Sequence, residues 1–256
     1  MTENLAERKR YYLLDSVRGL CILGMILYHT LFDVVMMFGL DYESQLMQAV
    51  NVVRDFGACC FIFLSGMCFH FGKHHLRRSL LISACGLLVT GVTYIVMPET
   101  PILFGILTFM GTAGLLMIPL SKVFSKIPPV MGAAVSFFAF LLFFGVNYAY
   151  IGYYDIVICT LPHTLYLNLF TAFLGFPYEG FASSDYYALL PWIFMYFCGY
   201  FSWKLFSKSE KILKFLDFRI PFLEKTGKWS LWIYIGHQPV VLGIVMLAYI
   251  LINKFS

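Results

Sequence analysis

Charge is scarce in this sequence: Asp, Glu, Lys and Arg supply 12% of its 256 residues, about half the share of an ordinary soluble chain. Too little charge is present to cover a soluble surface, which excludes an ordinary soluble enzyme or binding module. There is no phosphate-binding GxxxxGK[ST] loop, GxGxxG fingerprint, HExxH pair or GxSxG elbow, which removes the commonest ATPase, dehydrogenase, zinc-peptidase and hydrolase readings. Paired CxxC spacing is also missing. Cys21, Cys59, Cys60, Cys68, Cys85, Cys159 and Cys198 sit in apolar segments, so they read as small core residues, with no disulfide framework and no metal expected. Behind MTENLAERKRYY no short apolar stretch ends in a small-residue cleavage site, and the first span is expected to stay as an anchor.

What the sequence has is hydrophobicity, 60% of all residues. Windows long enough to cross a hydrocarbon core of about 30 Å fall near 14 to 38, 47 to 71, 79 to 97, 101 to 120, 130 to 149, 187 to 206 and 229 to 252. The expected fold is all-α: a polytopic membrane bundle of about 7 to 9 transmembrane or re-entrant helices, one domain over residues 1–256. From Ile151 to Tyr186 the apolar pattern is broken by Pro162, His163 and Asn168. That stretch reads as a re-entrant hairpin, an interfacial helix or paired short spans.

Basic residues set the orientation. Arg8, Lys9 and Arg10, then Lys73, Arg77 and Arg78, then Lys122 and Lys126, then the run from Lys204 to Lys228 fall on one side. The other side holds Asp41, Glu43, Glu99, Asp155, Glu179 and Asp185, with Lys254 its single base. By the positive-inside rule the N-terminus is cytoplasmic and both ends of the 151–186 segment lie outside. The net charge of +4 is thereby a topological signal. The Lys204 to Lys228 loop reads as a solvated, lipid-facing connector, and no nucleic-acid partner is needed.

Within the first span, Arg18 and His29 are separated by ten mostly apolar residues. Eleven helical positions are close to three turns, so both side chains leave nearly the same face roughly 16 Å apart. Ionisable groups at such depth are costly and read as a functional site. Asp15 stands at i,i+3 from Arg18, which suits an ion pair, and the guanidinium suits an anionic phosphate group. Asp33 follows His29 by four residues, where a carboxylate can orient an imidazole acting as general base. Lys73, Arg77 and Arg78, with Ser65, extend the candidate donor-binding set. Arg54 and Asp55 are adjacent, so they are not expected to pair well with each other, and one of them is expected to meet another span. His237 and Gln238 in the last span fall near the depth of His29. Asp185 and Trp192 stand where an acceptor from outside would arrive, and carboxylates with aromatic faces suit sugars.

LLDSVRGLCILGMILYHT resembles the opening of the transmembrane acyltransferase superfamily, where an arginine, ten residues and a histidine mark the active span. FIFLSGM resembles that superfamily's second-span signature. DSVRG, YHTLFD, SSDYYALLPW and GKWSLWIYIGHQPV most resemble bacterial members of the heparan-α-glucosaminide N-acetyltransferase catalytic-domain family. The resemblance implies a cytoplasmic acyl-CoA donor, with acetyl-CoA foremost, bound by Arg18. It also implies a catalytic His29 and a carbohydrate or glycolipid acceptor. The animal lysosomal members carry asparagine at the spacing of His29 and their histidine further on, whereas here no histidine occurs between Thr30 and Phe69.

The expected function is therefore an integral-membrane O- or N-acyltransferase of a bacterial cytoplasmic membrane. Membrane lipid surrounds it, and small residues with an apolar belt suit a homodimer. The alternative reading is a proton-coupled transporter or flippase using the same intramembrane groups.

Overall fold

A computed structural model describes residues 10–41, 45–99 and 101–255. Arg8, Lys9 and Glu43, used above for orientation, lie outside the described residues. The long helices are α1 (Tyr12–Phe38), α2 (Gln45–Cys68), α3 (His75–Val96), α4 (Ile106–Phe124) and α5 (Pro129–Leu142). A hairpin of β1 (Tyr150–Tyr153) and β2 (Ile156–Thr160) precedes α6 (Leu169–Leu174) and α7 (Leu189–Phe206). The chain ends with α8 (Glu210–Leu216), α9 (Pro221–Lys228) and α10 (Ser230–Phe255). Among the described residues, six helices are long and apolar enough to cross a membrane: those beginning at Tyr12, Leu46, His75, Ile106, Pro129 and Ser230. The window expected at 187 to 206 is α7, whose residues from Pro191 to Trp203 are mostly buried in protein.

The described residues form two compact units, one from the segments up to Phe61 and from Phe206 onward, the other Ile62–Leu205. In the first, α1 packs on α8, α9 and α10. Its contact with α9 is backbone on backbone. A Cβ on Gly19 would run into the Leu223 carbonyl, and one on Gly227 into the carbonyl of Asp15. Small residues at a crossing allow this approach. At the far end α1 stops at Gly39, whose left-handed φ of 62° turns its N–H back to the Val35 carbonyl, a conformation that glycine adopts at little cost.

The stretch expected as a solvated connector is thus two short helices, α9 being docked by its Leu223, Glu224 and Gly227 face. Pro221 opens α9 at a position where its missing N–H costs nothing. Glu224 is 2% exposed and held by Lys228 and by Arg219, 3.0 Å away. The hydrogen bond from Lys228 holds its carboxyl below the ordinary range against the upward push of burial, and Arg219 adds to the effect. Arg219 also lies 3.9 Å from the ring centre of Tyr12 on α1, a cation–π contact.

In the second unit α3 and α4 meet along a seam of small residues, Gly86 against Thr108, Gly111 against Ser83 and Gly114 against Ser79. The last turns of α2 meet α7 through Gly66, set against the Tyr196 carbonyl, and Gly199, set against that of Phe63. Phe124 rings with Phe197 and Phe201 at 5.0 Å each. Lys204 caps the end of α4 by donating to the Phe124 carbonyl at 2.9 Å.

Residues 151–186 take none of the three expected forms. Ile156, Val157 and Ile158 are β-branched and favour extended backbone. β2 pairs antiparallel with β1, Tyr150 opposite Thr160 and Tyr153 opposite Ile156, with a bulge that leaves Ile158 without a register partner. Tyr154 turns the chain with φ 47°. The later apolar run yields only the six residues of α6, started by an Asn168–Thr171 capping box and stopped at Gly175. The helical bundle carries this hairpin as its one departure from an all-α fold among the described residues.

Candidate functional site

The early turns of α1 carry a charge cluster. Asp15 accepts from Arg18 at 3.1 Å on one oxygen and from Arg10 at 2.8 Å on the other. The Arg18 and Asp15 side chains are 14% and 12% exposed. One carboxylate shared by two guanidinium groups leaves a net positive charge at this end of α1, which fits a phosphate-bearing donor. α9 presses directly against this turn, since Gly227 meets the Asp15 backbone.

Arg18 and Asp15 belong to the first unit, and Ser65, Lys73, Arg77 and Arg78 to the second. Ser65 is half-buried near the end of α2, and Lys73, Arg77 and Arg78 are exposed at and just after the α2–α3 turn.

Three turns along α1 from Arg18, His29 meets His237 of α10, their ring centres 5.0 Å apart at 52°. His237 is buried, and its Nδ1 lies 2.6 Å from the Tyr234 carbonyl. A carbonyl only accepts, so Nδ1 carries a proton and donates to it. The next residue, Gln238, donates to both oxygens of the buried Asp33, at 3.3 and 3.2 Å. Its own Oε1 is buried and has no hydrogen-bond partner among the described residues.

The expected orientation of His29 by Asp33 is therefore not what forms. The two share a face of α1, but among the described residues the carboxylate bonds to the Gln238 amide of α10 and not to His29. The helix spacing was right, and a partner from a distant helix took the oxygens. Asp33 ties α1 to α10 one residue from His237, which holds the two imidazoles together.

Arg54 and Asp55 also differ from expectation. They do pair, Arg54 Nε reaching Asp55 at 2.9 Å, because the long arginine stem bends back along the helix to its neighbour. Arg54 in addition meets another span, donating to the Tyr28 hydroxyl at 2.8 Å and lying 4.9 Å from that ring's centre. Tyr28 is buried and edge-on to His29, 5.3 Å between centres. Sequence reasoning passed over Tyr28, although its place beside His29 in YHT was the available signal. It joins Arg54 to the histidine pair.

Asp185 and Trp192 lie in the second unit. Asp185 Oδ2 accepts the N–H of Ile106 at 3.1 Å, capping α4 from a distant loop. Trp192 is buried against Phe140 and Tyr187, with ring centres at 5.5 and 5.1 Å. Here the carboxylate and the ring are occupied in packing, and Trp192 offers no open face to a sugar. Glu224 and the two glycines of the α1–α9 crossing also escaped the sequence reading. Glu224 four residues before Lys228 was the usable sign.

Among the described residues no three His, Cys, Asp or Glu side chains gather in the manner of a metal site. No curated protein and no solved structure matches the chain. A family model does, over residues 10–239, which include Arg18, His29, Asp33, His237 and Gln238. That match covers the greater part of both units and points to an acetyltransferase embedded in a membrane. The chain belongs to the heparan-alpha-glucosaminide N-acetyltransferase, catalytic, family.

Proposed function

We propose that this protein moves an acetyl group from cytoplasmic acetyl-CoA to a hydroxyl or amine of a carbohydrate or glycolipid acceptor, with His29 as the general base. The observation that carries this reading is the His29–His237 contact, two imidazoles side by side within membrane-spanning helices, on the helix that bears Arg18. Acetyl-CoA supplies a thioester whose acyl carbon receives the acceptor and whose thiolate leaves. Arg18, with Arg10 sharing Asp15, holds the donor's phosphates. His29 takes the acceptor's proton as it attacks, and His237, fixed by the Tyr234 carbonyl, stands beside the same imidazole. Gln238 and Asp33 position the pair, and Arg54 with Tyr28 bounds it on the α2 side. The transporter alternative has no comparable support, since the family's chemistry is transfer.

The test is a screen of amino and hydroxyl sugars with labelled acetyl-CoA and purified protein, run beside His29→Ala. Label should appear in an acceptor and fall by about 10²–10⁴-fold in the variant. Transfer at the wild-type rate by folded His29→Ala would refute the assignment.

A further inference from the structure

Between the last residue of α7 and the first of α10 lies a segment whose outward face is both aromatic and basic. Phe215, Phe218, Phe222 and Trp229 are 67%, 59%, 69% and 55% exposed. On α8 Lys211, Lys214 and Phe215 recur at three- and four-residue spacing and share one face, with Phe218 just beyond the helix; on α9 Phe222 and Lys225 do the same, with Trp229 at its C-cap. Lys211, Lys214 and Lys225 are exposed, and among the described residues of 207–229 the one exposed acid is Glu210. The opposite face is occupied: Leu216, Glu224 and Gly227 are buried, and α9 lies backbone to backbone on α1. Large rings exposed among lysines are unsuited to water alone, and their sign of charge excludes a basic partner.

We infer that the α8–α9 face is a docking surface for anionic phospholipid, its lysines on the headgroups and its four rings at the acyl boundary. Two observations favour a lipid surface over other occupants. The segment runs without a linker into Ser230, the first residue of a membrane-length helix, which puts its rings and lysines at interface depth. Its excess of lysine complements the negative surface potential of a cytoplasmic leaflet. Binding there bears on α9 and, through Gly227, on the turn of α1 that carries Asp15.

The experiment uses the full chain in neutral-lipid nanodiscs containing either brominated phosphatidylglycerol or brominated phosphatidylcholine at equal mole fraction. The Trp229 signal is the difference between wild type and Trp229→Phe. Quenching of that signal should be stronger with phosphatidylglycerol. The preference should fall about fivefold for each of Lys211, Lys214 and Lys225 changed to Gln, and should weaken at high salt. Because these lysines are exposed and pair with no buried group among the described residues, the Gln variants fold, and no transferase assay is involved, so failure here is separable from failure of the proposed activity. Equal quenching by the two lipids overturns the inference. So does a Trp229 shielded from both, the result expected if a second copy of the chain covered the face.

Discussion

Gly19 with Gly227 in the first unit, and Gly66 with Gly199 in the second, each bring two helix backbones into contact, yet the surroundings of the two crossings differ. Around the first stand the Arg10–Asp15–Arg18 cluster and the Glu224 ion pairs. Around the second stand rings, Phe124, Phe197, Tyr200 and Phe201 among them. Close glycine packing is a general device for helices that cannot rely on water to drive them together. Ionisable groups are not, since each carries a desolvation cost. The ion pairs described above all fall in the unit that also holds the two adjacent imidazoles. Shared architecture therefore marks the scaffold, and the charge sets the first unit apart.

Two histidines, one in each unit, give the largest test of that contrast. His237→Ala should lower acetyl transfer on the order of 10²-fold with little change in Tm. His70 instead donates Nε2 to the Tyr200 carbonyl at 3.0 Å, so His70→Ala should lower Tm and leave turnover per folded molecule unchanged. Equal losses of turnover would break the distinction between the units.

The glycine crossings come next. An added methyl at Gly227 or Gly199 must push a backbone carbonyl away, and each Gly→Ala change should cost about 1–3 kcal/mol in unfolding measurements. Gly227→Ala alone should also weaken thermal protection by acetyl-CoA, because α9 would displace the Asp15 turn beside Arg18. The same weakening in Gly199→Ala would show that the donor depends on both crossings.

Asp185→Ala removes the remote cap of α4 and should cost about 1 kcal/mol of stability without raising KM for the acceptor. A raised KM at unchanged Tm would return Asp185 to an acceptor-binding role. The smallest effect concerns Glu224. Its folded pKa lies below the ordinary 4.5, so the stability it contributes is fully present above that value. It is lost as pH falls through the lower, folded one. In acid titrations followed by circular dichroism, the advantage of wild type over Glu224→Gln should shrink below pH 4.5 and be flat above it.

The spans, and the shared stripe of Arg18 and His29, could be read from periodicity because they depend on one helix alone. His237 could be placed by depth, because Trp229 and the basic run before it locate the start of α10. Asp33 and Arg54 show where such reading ends. Spacing along α1 gave Asp33 the right face, but the amide that claims it comes from Gln238, 205 residues away. Arg54 was assigned by backbone direction, and its side chain is long enough to reach both Asp55 and Tyr28. The α9 contact was hidden because glycine contributes nothing to a hydrophobic pattern. The hairpin was hidden because Ile156, Val157 and Ile158 look alike in an apolar run whether they lie in a strand or a span.

That hairpin has a bearing on where the bilayer ends. Among the described residues the two strands pair only with each other, and the outer edge of each presents N–H and carbonyl groups that hydrocarbon cannot satisfy, at several kcal/mol apiece. The sheet must therefore sit in water or among headgroups, with the exposed rings of Tyr148 and Tyr154 suited to that level. Since β1 follows Leu142 by only a short 3₁₀ turn, the end of α5 is held near the membrane boundary. The hairpin thus marks, on the second unit, a level that hydrocarbon does not reach.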